Sequence, residues 1–310
     1  MSKYNKYKKS DTMLEQFRSF YYQNKVDNLD SAIKYFCVFG GMSWSVDMQT
    51  PLEQLIEKKV FDNYRYIHAD ITQITESDKV SHALLSGVAT GDRRVHSALK
   101  KGRISRNDAE YAMDTLFDRG FIEAEYSLET PPDAEDNIDE KLNFTAPFMR
   151  FWFSCVSPYF KSIRDGDYEE AKEAFANRSQ ELEELVFTKL AGEVMKKTFK
   201  DDKIEELGSY WDRNTSIDIL AKTKSGKVVA GICKYSNNKA KKTELTKLKE
   251  QCEKADLHPD IFVVISKSGF TSELKGMKSD ELKLLTLKNF KTLIDDVSVR
   301  DFIECEGKRY

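Results

Sequence analysis

Ile217-Asp-Ile219 and, past the turn at Lys224-Ser-Gly226, Val228-Val-Ala-Gly-Ile-Cys-Lys234 decide the fold of this chain. Side chains alternate between the two faces of a β-strand, so Val228, Ala230, Ile232 and Lys234 share one face. Asp218 stands between two isoleucines expected to point inward, faces away from them, and is brought beside Ile232 and Lys234 by hairpin pairing. An acid and an amine on adjoining strands are what a metal-dependent phosphodiesterase uses. The carboxylate holds Mg²⁺, and the lysine orients the attacking water or steadies the phosphate charge. The same two residues also describe an ordinary cross-strand ion pair on an exposed sheet face, which contributes little.

Working outward, Ile204–Trp211 reads as a preceding strand, with Asp212-Arg-Asn214 as the turn that joins it to Thr215–Thr223. Lys239–Ala255 reads as a helix from the spacing of Leu245, Leu248 and Cys252, and Asp260–Ser266 is the near-continuous apolar run of a buried central strand. A short helix near Thr271–Met277, a strand at Leu282–Leu287 and a helix over Leu287–Asp295 follow. Upstream, the pattern predicts one helix at Tyr168–Ala176 and another at about Gln180–Thr198, whose Leu182, Leu185, Val186, Leu190 and Val194 form an apolar stripe. Phe148-Met-Arg-Phe-Trp-Phe153 is too short for a bilayer and is interrupted by Arg150, so it reads as buried core bridging two domains.

Nearer the N-terminus, helical spacing marks Asp78–Val88, Gly91–Lys101 and Arg106–Asp118. Ser105 is placed to cap the third helix and Gly120 to end it. A strand at Phe121–Tyr126, a proline-containing loop at Thr130–Asn137 and a return through Lys141-Leu-Asn-Phe144 complete the pattern of a winged helix, with the loop as the wing. In such a module Arg106 and Asn107, with Glu110 and Tyr111, lie outward on the third helix to read a groove. Arg93, Arg94, Lys100 and Lys101 contact phosphates. A winged helix used for protein contact, its basic face merely solvated, is the plainer alternative.

Bulk properties narrow the field. The 310 residues are 40% hydrophobic and 33% charged, with 19 Phe and 14 Tyr, which suits cores rather than disorder. Lys and Arg number 49 against 52 acids, so no global basicity drives nucleic-acid binding and only local patches can. Five cysteines without a CxxC pair and only four histidines assemble no zinc spacing. The odd cysteine count and the absence of a signal peptide or a long apolar run point to a cytoplasmic protein off the membrane.

Taken together, Pro147-Phe-Met-Arg-Phe-Trp-Phe153, Leu182-Glu-Glu-Leu-Val186, Gly208-Ser-Tyr-Trp211, Ile217-Asp-Ile219, Gly231-Ile-Cys-Lys234 and Ser266-Lys-Ser-Gly-Phe270 resemble the domain of unknown function 234 family. This is the C-terminal domain of archaeal-type P-loop ATPases, itself similar to PD-(D/E)XK nucleases. The resemblance covers about Ala146 to Asp295. It implies catalytic roles for Asp218, Lys234 and the helix acid Glu183, with Asp218 as a Mg²⁺ ligand. The family carries Glu where this chain has Ile232. Losing that charge removes on the order of 4 kcal/mol of attraction for a nearby cation at an effective dielectric of about 20. The family's ATPase motif G-x-x-x-x-G-K-[ST] is also absent from the sequence.

The expected architecture is α+β. A helical segment over 1–60 and a winged-helix domain over 61–145 precede a restriction-endonuclease-like α/β domain with a mixed sheet over 146–310. The expected function is DNA association without efficient cleavage. Two alternatives stand beside it: an active Mg²⁺-dependent endonuclease, and a non-catalytic module that partners a separate P-loop ATPase.

Overall fold

A computed structural model describes residues 12–129 and 140–295. Contacts divide it into two compact units. One comprises residues 12–26, 34–125 and 140–182, and the other 27–33, 126–129 and 183–295.

The first unit is helical. It begins with α1 (Met13–Gln23), capped by Thr12 and Glu15 in a reciprocal capping box, and the larger part of α2 (Leu29–Phe39). Gly41, at φ 80°, then supplies the left-handed conformation that breaks the chain away from α2. The helices α3 (Leu52–Ile56), α4 (Tyr64–Ile74), α5 (Lys79–Thr90), α6 (Val95–Gly102) and α7 (Arg106–Asp118) follow. Ser105 caps α7 by accepting the Asp108 N–H, and Gly120 ends it with φ 63°. The strands β1 (Ile122–Glu125) and β2 (Lys141–Phe144) pair antiparallel. The expected wing, Thr130–Asn137, lies outside the described residues.

One boundary in this region differs from expectation. The second helix of the trio begins at Val95 rather than Gly91, because Arg93 takes φ 71° and Arg94 forms a β-bridge with Lys141. The backbone there is engaged with β2 instead of turning into a helix. The apolar run that follows β2 forms α8 (Pro147–Phe151) and a π-helical turn at Trp152–Val156, in which Phe148, Phe151, Trp152 and Phe153 are fully buried. They are core of this unit. After α9 (Phe160–Arg164) comes α10 (Glu169–Thr198), a single 30-residue helix where the apolar spacing predicts two. Asn177 and Ser179 are weak helix formers, but Arg178 between them is a strong one, none is Gly or Pro, and the Arg178–Glu181 ion pair spans the expected break at 3.2 Å.

The second unit carries a five-stranded sheet in the order β3 (Ile204–Trp211), β4 (Ser216–Thr223), β5 (Val228–Lys234), β6 (Ile261–Ser266), β7 (Leu282–Thr286). The strands β3, β4 and β5 form an antiparallel meander, whereas β5, β6 and β7 run parallel. Its first turn is held by Asp212, whose Oδ1 accepts the N–H groups of Asn214 and Thr215. The second is set by Gly226 at φ 88°. The parallel step from β5 to β6 is bridged by α11 (Lys242–Lys254), as a parallel connection requires. The short α12 (Ser272–Gly276) links β6 to β7, and α13 (Lys291–Asp295) follows.

Each sheet face buries a different helix. Leu245, Leu248 and Cys252 of α11 pack with Leu220, Ala230, Ile232 and Val264 on one side. On the other, a Cβ on Gly231 would meet Met195 of α10 at 3.4 Å, and Phe187 stacks on Phe290 with ring centroids 4.9 Å apart. Phe187 is fully buried and also touches the Tyr235 ring at 5.1 Å. Truncating such a side chain removes transfer free energy and leaves a cavity, so Phe187→Ala is expected to cost about 3–5 kcal/mol. Urea unfolding followed by circular dichroism will show this as a lower midpoint at unchanged slope.

Candidate functional site

The β4–β5 ladder pairs Lys222 with Val228 through to Ile219 with Gly231. On its other side β4 shifts register against β3 between Gly208 and Tyr210, which leaves Asp218 and Ile219 opposite the single residue Ser209. This is a β-bulge, which adds a residue and re-aims side chains. Ile217 joins Leu220 in the core beneath α11, whereas Ile219 lies against Gly231 on the α10 side. Simple alternation places the two isoleucines on one face; the bulge separates them.

At this bulge the carboxylate of Asp218 enters the hydrogen-bonding plane of the sheet. Its Oδ2 accepts the backbone N–H of Cys233 at 2.9 Å, in the position a strand carbonyl would otherwise occupy. Asp218 is exposed, and its oxygen is anchored on the backbone between Ile232 and Lys234. Asp218 is thus placed next to the Ile232-Cys-Lys234 segment through a contact with its backbone, not with the Lys234 side chain.

Lys234 is directed to α11. Its ammonium forms an ion pair with Glu244, both side chains being largely buried, at 24% and 17% exposure. Glu244 also accepts the N–H of Lys241 at 2.7 Å, which secures the start of the helix. Burial alone pushes the Glu244 carboxyl up, but the Lys234 ammonium and the Lys241 N–H outweigh it and leave the group below the ordinary carboxylate range. Sequence reasoning does not single out Glu244, which stands ten positions from Lys234 in a lysine-rich helix start. Its one signal is its place three residues into the helix.

Ile232 is 7% exposed and belongs to the core beneath α11. Position 232 is thus packed with aliphatic carbon. Glu183 is half-buried on α10 and faces the Tyr235 hydroxyl. That hydroxyl donates to Asp30 Oδ1 at 3.0 Å, and Lys267 pairs with Asp30 at 2.7 Å while lying over the Tyr235 ring. Burial, then the charges of Glu183 and Asp30, hold the Tyr235 phenol protonated well above its usual range. Cys233 is pushed up by burial and by the Asp218 charge. The Cys233 residue itself is half-buried.

These donors do not fit a Mg²⁺ centre, which takes octahedral oxygen ligands. Asp218 spends one oxygen on a backbone N–H, position 232 is aliphatic, and Glu183 and Glu244 are each engaged elsewhere. Among the described residues no three His, Cys, Asp or Glu side chains gather as metal ligands.

In the first unit, Lys100, Lys101, Arg106 and Asn107 lie at the surface of α6 and α7, and Tyr111 is 75% exposed. Lys101 donates to the Thr90 carbonyl at 2.8 Å. Arg93 is turned inward to Asn143 and to Glu125, the latter at 3.3 Å, and Arg94 lies 3.6 Å from Asp92.

Residues 152–246 match the model of DUF234, described as archaea bacterial proteins of unknown function. No curated protein and no solved structure matches the chain.

The sign of the Glu244 shift sets a pH test. A depressed carboxyl stabilises the fold above its unfolded value, near about 4.3, and the contribution is lost as pH falls through the lower folded value. Wild type is therefore expected to unfold at higher denaturant than Glu244→Gln at pH 7, and the gap is expected to close as the pH is brought below about 4.

Proposed function

We propose that this chain, whose residues 152–246 match the DUF234 family, associates with DNA through a nuclease-like unit and a basic helical unit and does not cleave it efficiently. The observation that carries the proposal is Ile232. It occupies the core, on the strand that also offers Lys234 and the N–H held by Asp218.

Several features support kinship with PD-(D/E)XK nucleases. A helix, a three-stranded meander, a second helix and a parallel strand follow in that order from α10 to β6. The acid and the lysine stand on the neighbouring strands β4 and β5. The closed site argues against catalysis: a lysine neutralised by Glu244 gives little help to a phosphate, and a single anchored carboxylate holds a divalent cation weakly. Binding is supported by the surface positions of Lys100, Arg106 and Asn107, a set that suits phosphate contact together with groove readout.

Gel shift and plasmid nicking test both halves. The full chain is expected to retard duplex DNA at low salt and to leave supercoiled plasmid intact with Mg²⁺ or Mn²⁺. Combined Lys100→Ala and Arg106→Ala substitution is expected to weaken binding and to lower the salt slope by about one for each phosphate no longer neutralised. Metal-dependent nicking that Lys234→Ala abolishes would instead establish a working nuclease. Absence of DNA affinity at any salt would end the proposal.

A further inference from the structure

Between Tyr235 and Lys249 the second unit exposes five lysines, Lys239, Lys241, Lys242, Lys247 and Lys249, and no acid. The one carboxylate in that stretch, Glu244, is turned inward to Lys234. In a chain of net charge −3 this is a local concentration of positive charge. Among the described residues, only Lys242 of the five meets a carboxylate, that of Glu273 at 3.8 Å, and both side chains are more than half exposed. An ion pair so open to water neutralises little.

The fold holds these lysines at one end of the sheet. The parallel strands β5 and β6 finish together, with Lys234 paired to Ser266. The loops that leave them are laced to each other. The Ala240 N–H donates to the Gly269 carbonyl at 2.8 Å, the Thr271 N–H to the Ala240 carbonyl at 3.0 Å, and the Ser268 hydroxyl to the Ser236 carbonyl at 2.6 Å. Lys239 and Lys241 flank Ala240, and α11 starts from there with Lys242, Lys247 and Lys249 on its exposed surface. Open α/β sheets take their ligands outside the carboxyl ends of the strands. A Cβ on Gly269 would meet nothing within 4 Å, so the space beside the laced loops is open.

We propose that Lys239, Lys241, Lys242, Lys247 and Lys249 form the surface on which the second unit holds the phosphate backbone of duplex DNA. The inference rests on the DNA association proposed above and adds a contact that is separate from Lys100 and Arg106 of the first unit. The composition of the face selects this partner. Its other exposed side chains are Asn237, Asn238, Thr243 and Thr246, which also donate to phosphates, and no aromatic residue or arginine is exposed there. Protein interfaces are enriched in aromatics and arginine and depleted of lysine. A membrane surface needs an apolar face to insert, and single strands are held by stacking on aromatic rings. A duplex backbone needs cations at intervals. Lys242 and Lys249 stand seven residues apart, about 10 Å along the helix, which spans about three phosphates of one strand at roughly 3.4 Å each.

The test is fluorescence anisotropy of the full chain with one labelled duplex over a chloride series, beside the same sequence as a single strand and vesicles containing phosphatidylserine. Combined Lys239→Gln, Lys247→Gln and Lys249→Gln substitution is expected to lower the slope of log affinity against log salt by about 2 to 3, at about 0.9 for each phosphate no longer neutralised. The thermal midpoint is expected to stay unchanged, since all three side chains are exposed. An unchanged slope in this variant, with a lower one in the Lys100→Ala and Arg106→Ala variant, would overturn the inference and leave DNA association through the first unit standing. Tighter binding of the single strand than of the duplex, or binding of the vesicles alone, would also overturn it. No affinity of the wild-type chain for the duplex would end both readings.

Discussion

The hydrogen bond from the Cys233 N–H to the Asp218 carboxylate organises the second unit around its candidate site. Regular β4–β5 pairing ends at Ile219 and Gly231, and an inward N–H beyond that point needs an acceptor. A side-chain oxygen takes the place of a carbonyl, made possible by the extra residue of the β4 bulge. The two strands can then part while their backbone groups stay satisfied.

What surrounds that break determines its chemistry. On the α11 side, Ile232 fills the core and Lys234 closes onto Glu244, so charge there is neutralised internally. On the α10 side, Glu183 is committed to Tyr235, which Asp30 and Lys267 also hold. Each acid that could have completed a metal site is therefore satisfied by a neighbour. Turning Glu244 toward Asp218 would leave Lys234 unpaired in a half-buried setting, a cost comparable to what the new interaction would return.

Much of this fold is legible in the sequence, for local reasons. The strands from Ile204 to Thr286 announce themselves by alternation, by β-branched runs and by turns at Asp212 and Gly226, all features within a few residues of one another. Ser105 and Gly120 mark the ends of α7 for the same reason. What stays hidden depends on distance or on competition. Asp30 meets Tyr235 across 205 positions, and nothing near either residue signals it. Glu244 reads as an ordinary helix-start acid until β5 brings Lys234 beneath it. The β4 bulge is invisible to a strict two-residue period, which is why alternation alone puts Ile217 and Ile219 on one face. The unity of α10 is obscured because weak propensity at Asn177 and Ser179 is overridden by packing and ion pairing.

A direct titration of Mn²⁺ into the full chain, read by calorimetry and by the electron paramagnetic resonance of the free ion, addresses the central claim that the sheet site is closed to a catalytic metal. No stoichiometric binding at micromolar metal is the predicted result. One equivalent of Mn²⁺ bound by wild type and released by Asp218→Asn would contradict it, because it would mean that a second ligand set reaches Asp218 despite Ile232.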